Sequence, residues 1–169
     1  MAIPDLTGFA AGEKVSAAKL NEHTKDAFDK SVFHKPFCML WDYGVATWAS
    51  GVWQPVGFDN VYEDTDSMAD LSNRRLLVRT PGLYRVSGQV SYQGYANGSR
   101  RLSIVAGSWV AASFWTPAPS DPCKLNASGY ARLGYGAPIG LSTLHNSGTT
   151  LSSYPAEGSN WLAAEWISK

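Results

Sequence analysis

The stretch Leu83-Tyr-Arg-Val-Ser-Gly-Gln-Val-Ser-Tyr92 decides the fold class. Tyr84, Val86, Val90 and Tyr92 fall on one side of an extended chain, and Arg85, Ser87, Gln89 and Ser91 on the other. Successive side chains of a strand point to opposite faces, so this alternation marks a half-buried antiparallel strand. Arg100-Arg-Leu-Ser-Ile-Val105 alternates likewise, with Leu102 and Ile104 inward. Phe37–Trp41, Trp53–Phe58, Leu76–Arg79, Trp109–Trp115, Tyr130–Leu133, Ile139–Leu144 and Trp161–Ile167 continue the series. Thr80-Pro-Gly82, Ala96-Asn-Gly-Ser99, Thr116-Pro-Ala-Pro119 and Asn146-Ser-Gly148 separate these segments as turns. Asn97-Gly98, between two alternating runs, is a hairpin signal. Pro117, Pro119 and Pro122 should interrupt sheet pairing between Trp109 and Tyr130. About eight to ten short strands at this spacing predict an all-β antiparallel sandwich or barrel. The chain shows no strand–helix alternation and no glycine-rich phosphate loop, which argues against a nucleotide-binding α/β fold.

The first 35 residues read differently, giving an arm-and-helix segment over 1–35 and a β domain over 36–169. Pro4, Gly8 and Gly12 suit an extended arm, which carries Ile3, Leu6 and Phe9. A helix is predicted over Ala17–Lys30, with Ser16 as its N-cap and good helix formers at Ala17, Ala18, Lys19, Leu20 and Glu22. Leu20, Ala27 and Phe28 share one face of it. An isolated helix of about four turns is marginal in water, so it must dock on its own domain, on a copy of itself or on a partner. Contact between subunits or with a partner is the favoured reading, and the apolar arm would be buried in the same way.

The 169 residues fit one domain. Hydrophobic residues make up 44% and charged residues 17%, the latter below the usual ~25%. That excludes a disordered chain and a long charged coiled coil. Fourteen basic and fourteen acidic residues give zero net charge. The resulting pI of about 6.8 argues against sequence-independent binding to nucleic-acid phosphates. Zero net charge favours association. No run of 18 apolar residues exists to cross a membrane as a helix. Met1–Lys35 has no apolar signal core, so synthesis without export is expected. Cys38 and Cys123 are too few for a zinc site, and whether they pair stays open.

No local motif groups His23, His34 or His145 with a nucleophile, and no catalytic residue, metal or cofactor is assigned. Asp59, Glu63, Asp64, Asp66 and Asp70 crowd one segment without the spacing of a calcium loop. They are read as aspartates making local turns in a solvated loop. The sequons Asn97-Gly-Ser99 and Asn126-Ala-Ser128 receive no function. The seven tryptophans are more informative. Large rings anchor interfaces and offer flat apolar faces to sugars. Trp161 and Trp166 are assigned to packing. Trp48 and Trp53 flank the turn Ala49-Ser-Gly51, and Trp115 precedes the prolines, so these three are the candidate surface-binding aromatics.

Gly82–Ser91, Arg100–Ile104, the apolar segment near Leu141 and Trp161-Leu-Ala-Ala-Glu-Trp-Ile167 together resemble the complement-head and tumour-necrosis-factor-like jelly roll. Ala11-Gly-Glu-Lys-Val-Ser-Ala-Ala-Lys-Leu-Asn21 resembles the N-terminal segment of minor tail proteins of phages that infect actinobacteria. Phe58-Asp-Asn-Val-Tyr-Glu-Asp-Thr-Asp-Ser-Met68 resembles the loop before the Gly-Leu-Tyr strand of those proteins. The resemblance implies a homotrimer of jelly-roll heads, anchored to other virion proteins through the N-terminal segment. The expected function is that of a non-enzymatic minor tail protein in the virion, with host cell-wall glycan as a possible partner. A trimeric capsid decoration protein is the alternative, and a monomeric carbohydrate-binding module a further one.

Overall fold

The computed structural model describes residues 14, 16–21, 35–154 and 160–169. Residues 17–21 form a helical turn. The Ser16 hydroxyl accepts the Lys19 N–H at 3.2 Å, as expected of an N-cap. Leu20 is exposed on this turn. Ile3, Leu6, Phe9, Ala27 and Phe28 lie outside the described residues.

Thirteen strands follow: β1 Phe37–Asp42, β2 Thr47–Trp48, β3 Gln54–Pro55, β4 Asn60–Asp64, β5 Ala69–Asp70, β6 Arg75–Leu77, β7 Gly82–Tyr92, β8 Ser99–Ala106, β9 Trp109–Pro117, β10 Cys123–Leu133, β11 Pro138–His145, β12 Leu151–Ser152 and β13 Asn160–Ser168. Five of them form one antiparallel sheet in the order β10-β7-β13-β1-β4. The other large sheet runs β5-β6-β11-β8-β9, with β3 pairing β11 beside this path, and β2 and β12 make a small pair. The two large sheets pack face to face as an antiparallel jelly roll. Tyr84, Val86, Val90 and Tyr92 of β7 face Leu102 and Ile104 of β8 and Ile139 and Leu141 of β11 in the shared core, all buried. The alternation read along β7 and β8 is therefore the core alternation.

Four expectations change. The Asn97-Gly98 turn exists, with Gly98 at φ +80°, but β7 and β8 are not a hairpin. They lie in different sheets, and Gln93–Gly98 carries the chain from one layer to the other. A two-residue hairpin does join β8 to β9 at Gly107-Ser108, where positive φ at the first position alone matches a II′ turn.

The prolines interrupt pairing only over 118–122. β9 continues through Pro117, which an edge strand tolerates, and β10 begins at Cys123 rather than Tyr130. The inward residues Ala127, Gly129 and Ala131 of β10 are small, which hides its period-two signal. Small size is required at Gly129, where a Cβ would overlap the Ala111 carbonyl of β9. The acidic segment is likewise not all loop: Asn60–Asp64 pairs with β1 as the edge strand of the five-stranded sheet. Finally, the strand expected over Trp53–Phe58 shortens to Gln54–Pro55, with the Val56 N–H still donating to the Leu141 carbonyl of β11 at 2.9 Å. Val56 and Phe58 are still buried.

Candidate ligand-binding face

Two of the three candidate aromatics meet on the outer face of the six-stranded sheet. Antiparallel register places Leu144 of β11 opposite Arg101 of β8, and Arg101 opposite Trp115 of β9. Gln54 pairs with Thr143, so Trp53, one residue before β3, stands beside Leu144. The row Trp53–Leu144–Arg101–Trp115 thus crosses four strands and, at ~4.8 Å per strand, spans about 14 Å of backbone. Trp53 and Trp115 are 47% and 56% exposed. A shallow cleft of about 320 Å³ lies between them, lined also by Arg101, Leu102, Ser113 and Phe114. The next row is a hydroxyl ladder: Ser142 opposes Ser103, and Ser103 opposes Ser113. Among the described residues the exposed Arg101 guanidinium has no carboxylate partner.

Trp53 is held by the turn before it. Gly51 sits at φ +82°, a conformation that favours glycine. The Gly51 N–H donates to the His145 carbonyl at 2.6 Å and the Ala49 N–H to Gln54 Oε1 at 2.6 Å. The Gly148 N–H reaches the Ser50 hydroxyl at 2.9 Å. The loop that carries Trp53 is therefore tied to the end of β11.

Trp48 is the correction. It is only 2% exposed, so it is not a surface aromatic. β2 turns it inward against the Tyr92 ring, 5.0 Å away between centroids. Its carbonyl meets His145 Nε2 at 2.8 Å, and His145 Nδ1 lies 3.0 Å from the Ser147 hydroxyl. Both ring nitrogens of His145 are thus engaged by structural partners, and burial holds its pKa below the ordinary value, against the opposing pull of the Trp48 carbonyl. Tyr92 Oη shares a 2.6 Å hydrogen bond with Thr143 Oγ1, and burial pushes the phenol up to about 12. His23 and His34 lie outside the described residues.

Beside this cluster Arg100 is fully buried with no acid against it among the described residues. Backbone carbonyls hold its guanidinium: Nη2 donates to Tyr95 at 2.8 Å, and Nη1 to Asn97 and Ser99 at 3.2 Å. The Tyr92 ring lies 5.5 Å from its central carbon. Its Nε has no hydrogen-bond partner among the described residues. Arg100 is a clasp for the crossover between sheets, a role its sequence neighbours do not reveal.

The aspartates serve local turns. Asp64 accepts the N–H groups of Asp66, Met68 and Ala69 at 3.2, 2.9 and 2.8 Å. Ser72, Asn73 and Arg75 surround Asp70 and lower its pKa to about 2. Among the described residues no three His, Cys, Asp or Glu side chains cluster as a metal site. Cys38 and Cys123 are both free thiols.

The outer face of the five-stranded sheet is of another kind. Phe37, Met39 and Trp41 of β1 stand opposite Glu165, Ala163 and Trp161 of β13. Phe37, Met39, Trp41 and Trp161 are half-buried and Ala163 is buried, and no second layer covers them among the described residues. An ion pair, Arg85–Glu165 at 3.1 Å, lies at its end.

No family model matches the sequence, and no curated protein matches it. The solved structures supply the likeness. The globular domain of zebrafish complement 1qA aligns over 80% of this chain and 99% of its own, with 16% identity and a TM-score of 0.54. Murine APRIL aligns over 79% and 99%, with 14% identity and a TM-score of 0.59. The fold is a C1q- and tumour-necrosis-factor-like jelly roll. At such low identity the likeness fixes the arrangement of strands, and function is argued from the faces themselves.

Proposed function

We propose that this chain is a non-enzymatic bacteriophage virion protein, a trimeric jelly-roll head of the tail, attached through its N-terminal segment and directed at the host surface. The observation that carries the trimer is the outward apolar strip of Phe37, Met39, Trp41, Trp161 and Ala163, half-buried or buried, over which no second layer lies among the described residues. Residues so placed gain from burial against a second copy, since each Å² of apolar surface removed from water contributes about 25 cal/mol. Support also comes from the trimeric habit of C1q- and tumour-necrosis-factor-like jelly rolls, and from zero net charge. The virion assignment is supported by the resemblance of Ala11–Asn21 and Phe58–Met68 to phage minor tail proteins. Threefold symmetry would present three copies of one weak site together and raise its apparent affinity.

Solution mass by light scattering tests the trimer, on the full chain and on a version lacking residues 1–35. A trimer in both places the contact in the jelly roll. A monomer in both overturns the trimeric head and favours the carbohydrate-binding module. Labelled antibody on particles tests the position: decoration of the tail supports this reading, and decoration of the capsid replaces it with the capsid protein.

A further inference from the structure

We propose that the cleft between Trp53 and Trp115 binds an anionic oligosaccharide, with sugar faces against the two indoles and the negative group on Arg101. This deepens the host-surface reading and rests on it for its biological setting. Three observations converge. The first is spacing: the two rings stand at the ends of a four-strand row, far enough apart to take separate sugar units of one chain. The second is charge. Arg101 lies between the rings, exposed and without a carboxylate partner among the described residues. Neither indole holds it in a cation–π contact among those described, so its planar fork is free for two parallel hydrogen bonds to a carboxylate or phosphate. The third is the row Ser142–Ser103–Ser113 beside it: Ser113 is exposed and Ser142 half-buried, so these two offer hydroxyls able to donate and accept, as sugar hydroxyls require, while Ser103 between them is buried.

A protein partner fits this face less well. Leu144 in the row is half-buried, and Arg101 and Ser113 interrupt the apolar lining that Trp53, Leu102, Phe114 and Trp115 give the cleft. A polar chain with flat apolar faces matches the alternation of indole, guanidinium and hydroxyl. The cleft of about 430 Å³ near β2 and β3 offers no such match, because Asp42 and Asp59 accompany its Arg74.

Isothermal titration of the full chain tests the proposal with tetragalacturonic acid, its fully methyl-esterified form and a phosphomannan oligomer. The acid should bind, the ester at least tenfold more weakly, and binding should weaken as salt rises. Arg101→Gln should weaken the charged ligand about tenfold and bring acid and ester to equal affinity. Trp115→Ala and Trp53→Ala should each weaken acid and ester together. Tighter binding of the phosphomannan, with the same dependence on Arg101 and Trp115, supports the site and identifies phosphate as its anion. Equal binding of acid and ester to the unaltered protein overturns the anionic assignment. Absence of binding to both charged oligomers, in a sample whose far-UV dichroism shows an intact β fold, overturns the proposal. Light scattering on that sample keeps the readings apart: a non-binding trimer leaves the head intact as a proposal, and a binding monomer leaves the site without the trimer.

Discussion

On the five-stranded sheet the outward tryptophans are neighbours: Trp41 pairs with Trp161, and Met39 and Ala163 continue the strip. On the six-stranded sheet Trp53 and Trp115 are held apart by Leu144 and Arg101. The residue types overlap, but their spacing separates two uses. Contiguous apolar side chains gain only when a surface of the same kind covers them, as at the centre of a protein interface. Indoles divided by a cation and flanked by hydroxyls suit a ligand that is itself divided, with polar groups between apolar faces. One jelly roll can thus assign assembly to one sheet and recognition to the other.

The comparison breaks most decisively at Met39. Met39→Glu would place a carboxylate in each copy of the apolar strip, and an uncompensated buried charge costs several kcal/mol. Light scattering should then report monomer, while titration of the Arg101 cleft should give unchanged affinity per chain. Next comes the core that both faces share. Leu102→Ala removes a fully buried side chain beneath the six-stranded sheet and should lower stability by about 2–5 kcal/mol in urea unfolding. A smaller loss, about 1–3 kcal/mol, is expected for Gly129→Ala, whose new methyl must push β10 away from the Ala111 carbonyl of β9. Unfolding of that variant with unchanged midpoint would mean the two sheet edges are not in register contact. Trp115→Ala should move stability by less than about 0.5 kcal/mol, since the ring is exposed. A large loss there would make it a packing residue and erase the contrast between the faces.

The smallest effect is a pH dependence at His145. Its pKa is lowered in the fold by burial, so below the unfolded value of about 6.5 the unfolded chain binds the proton more readily. Stability contributed by the neutral ring is present above that pH and declines as pH falls toward the folded value. Thermal midpoints between pH 7 and pH 5 should fall, and His145→Gln should flatten the slope.

Much of this was legible in the sequence, and for identifiable reasons. β7 and β8 showed their inner faces because Tyr84, Val86, Leu102 and Ile104 are large and alternate with polar residues. β10 stayed hidden because its inner positions at Ala127, Gly129 and Ala131 must be small beside β9. Asn97-Gly98 announced a turn correctly, but a local signal carries no information about which sheet the next strand joins. Trp53 and Trp115 stood out singly. Their meeting with Arg101 depends on the strand order β3-β11-β8-β9, and no local window contains it. Trp48 was misread because its neighbours in sequence form a turn, whereas its burial is decided by Tyr92 and His145, far along the chain.

β13 lies between β7 and β1 in the five-stranded sheet, although it comes last of all the strands. During synthesis, then, β1 and β7 emerge early and wait without the strand that joins them. At roughly 5–20 residues per second the interval between β1 and β13 is on the order of ten seconds. Throughout it the apolar flanks of β1 remain open to chaperones or to the wrong partner. A chain that stops before residue 160 lacks the strand that joins β7 to β1 in the five-stranded sheet.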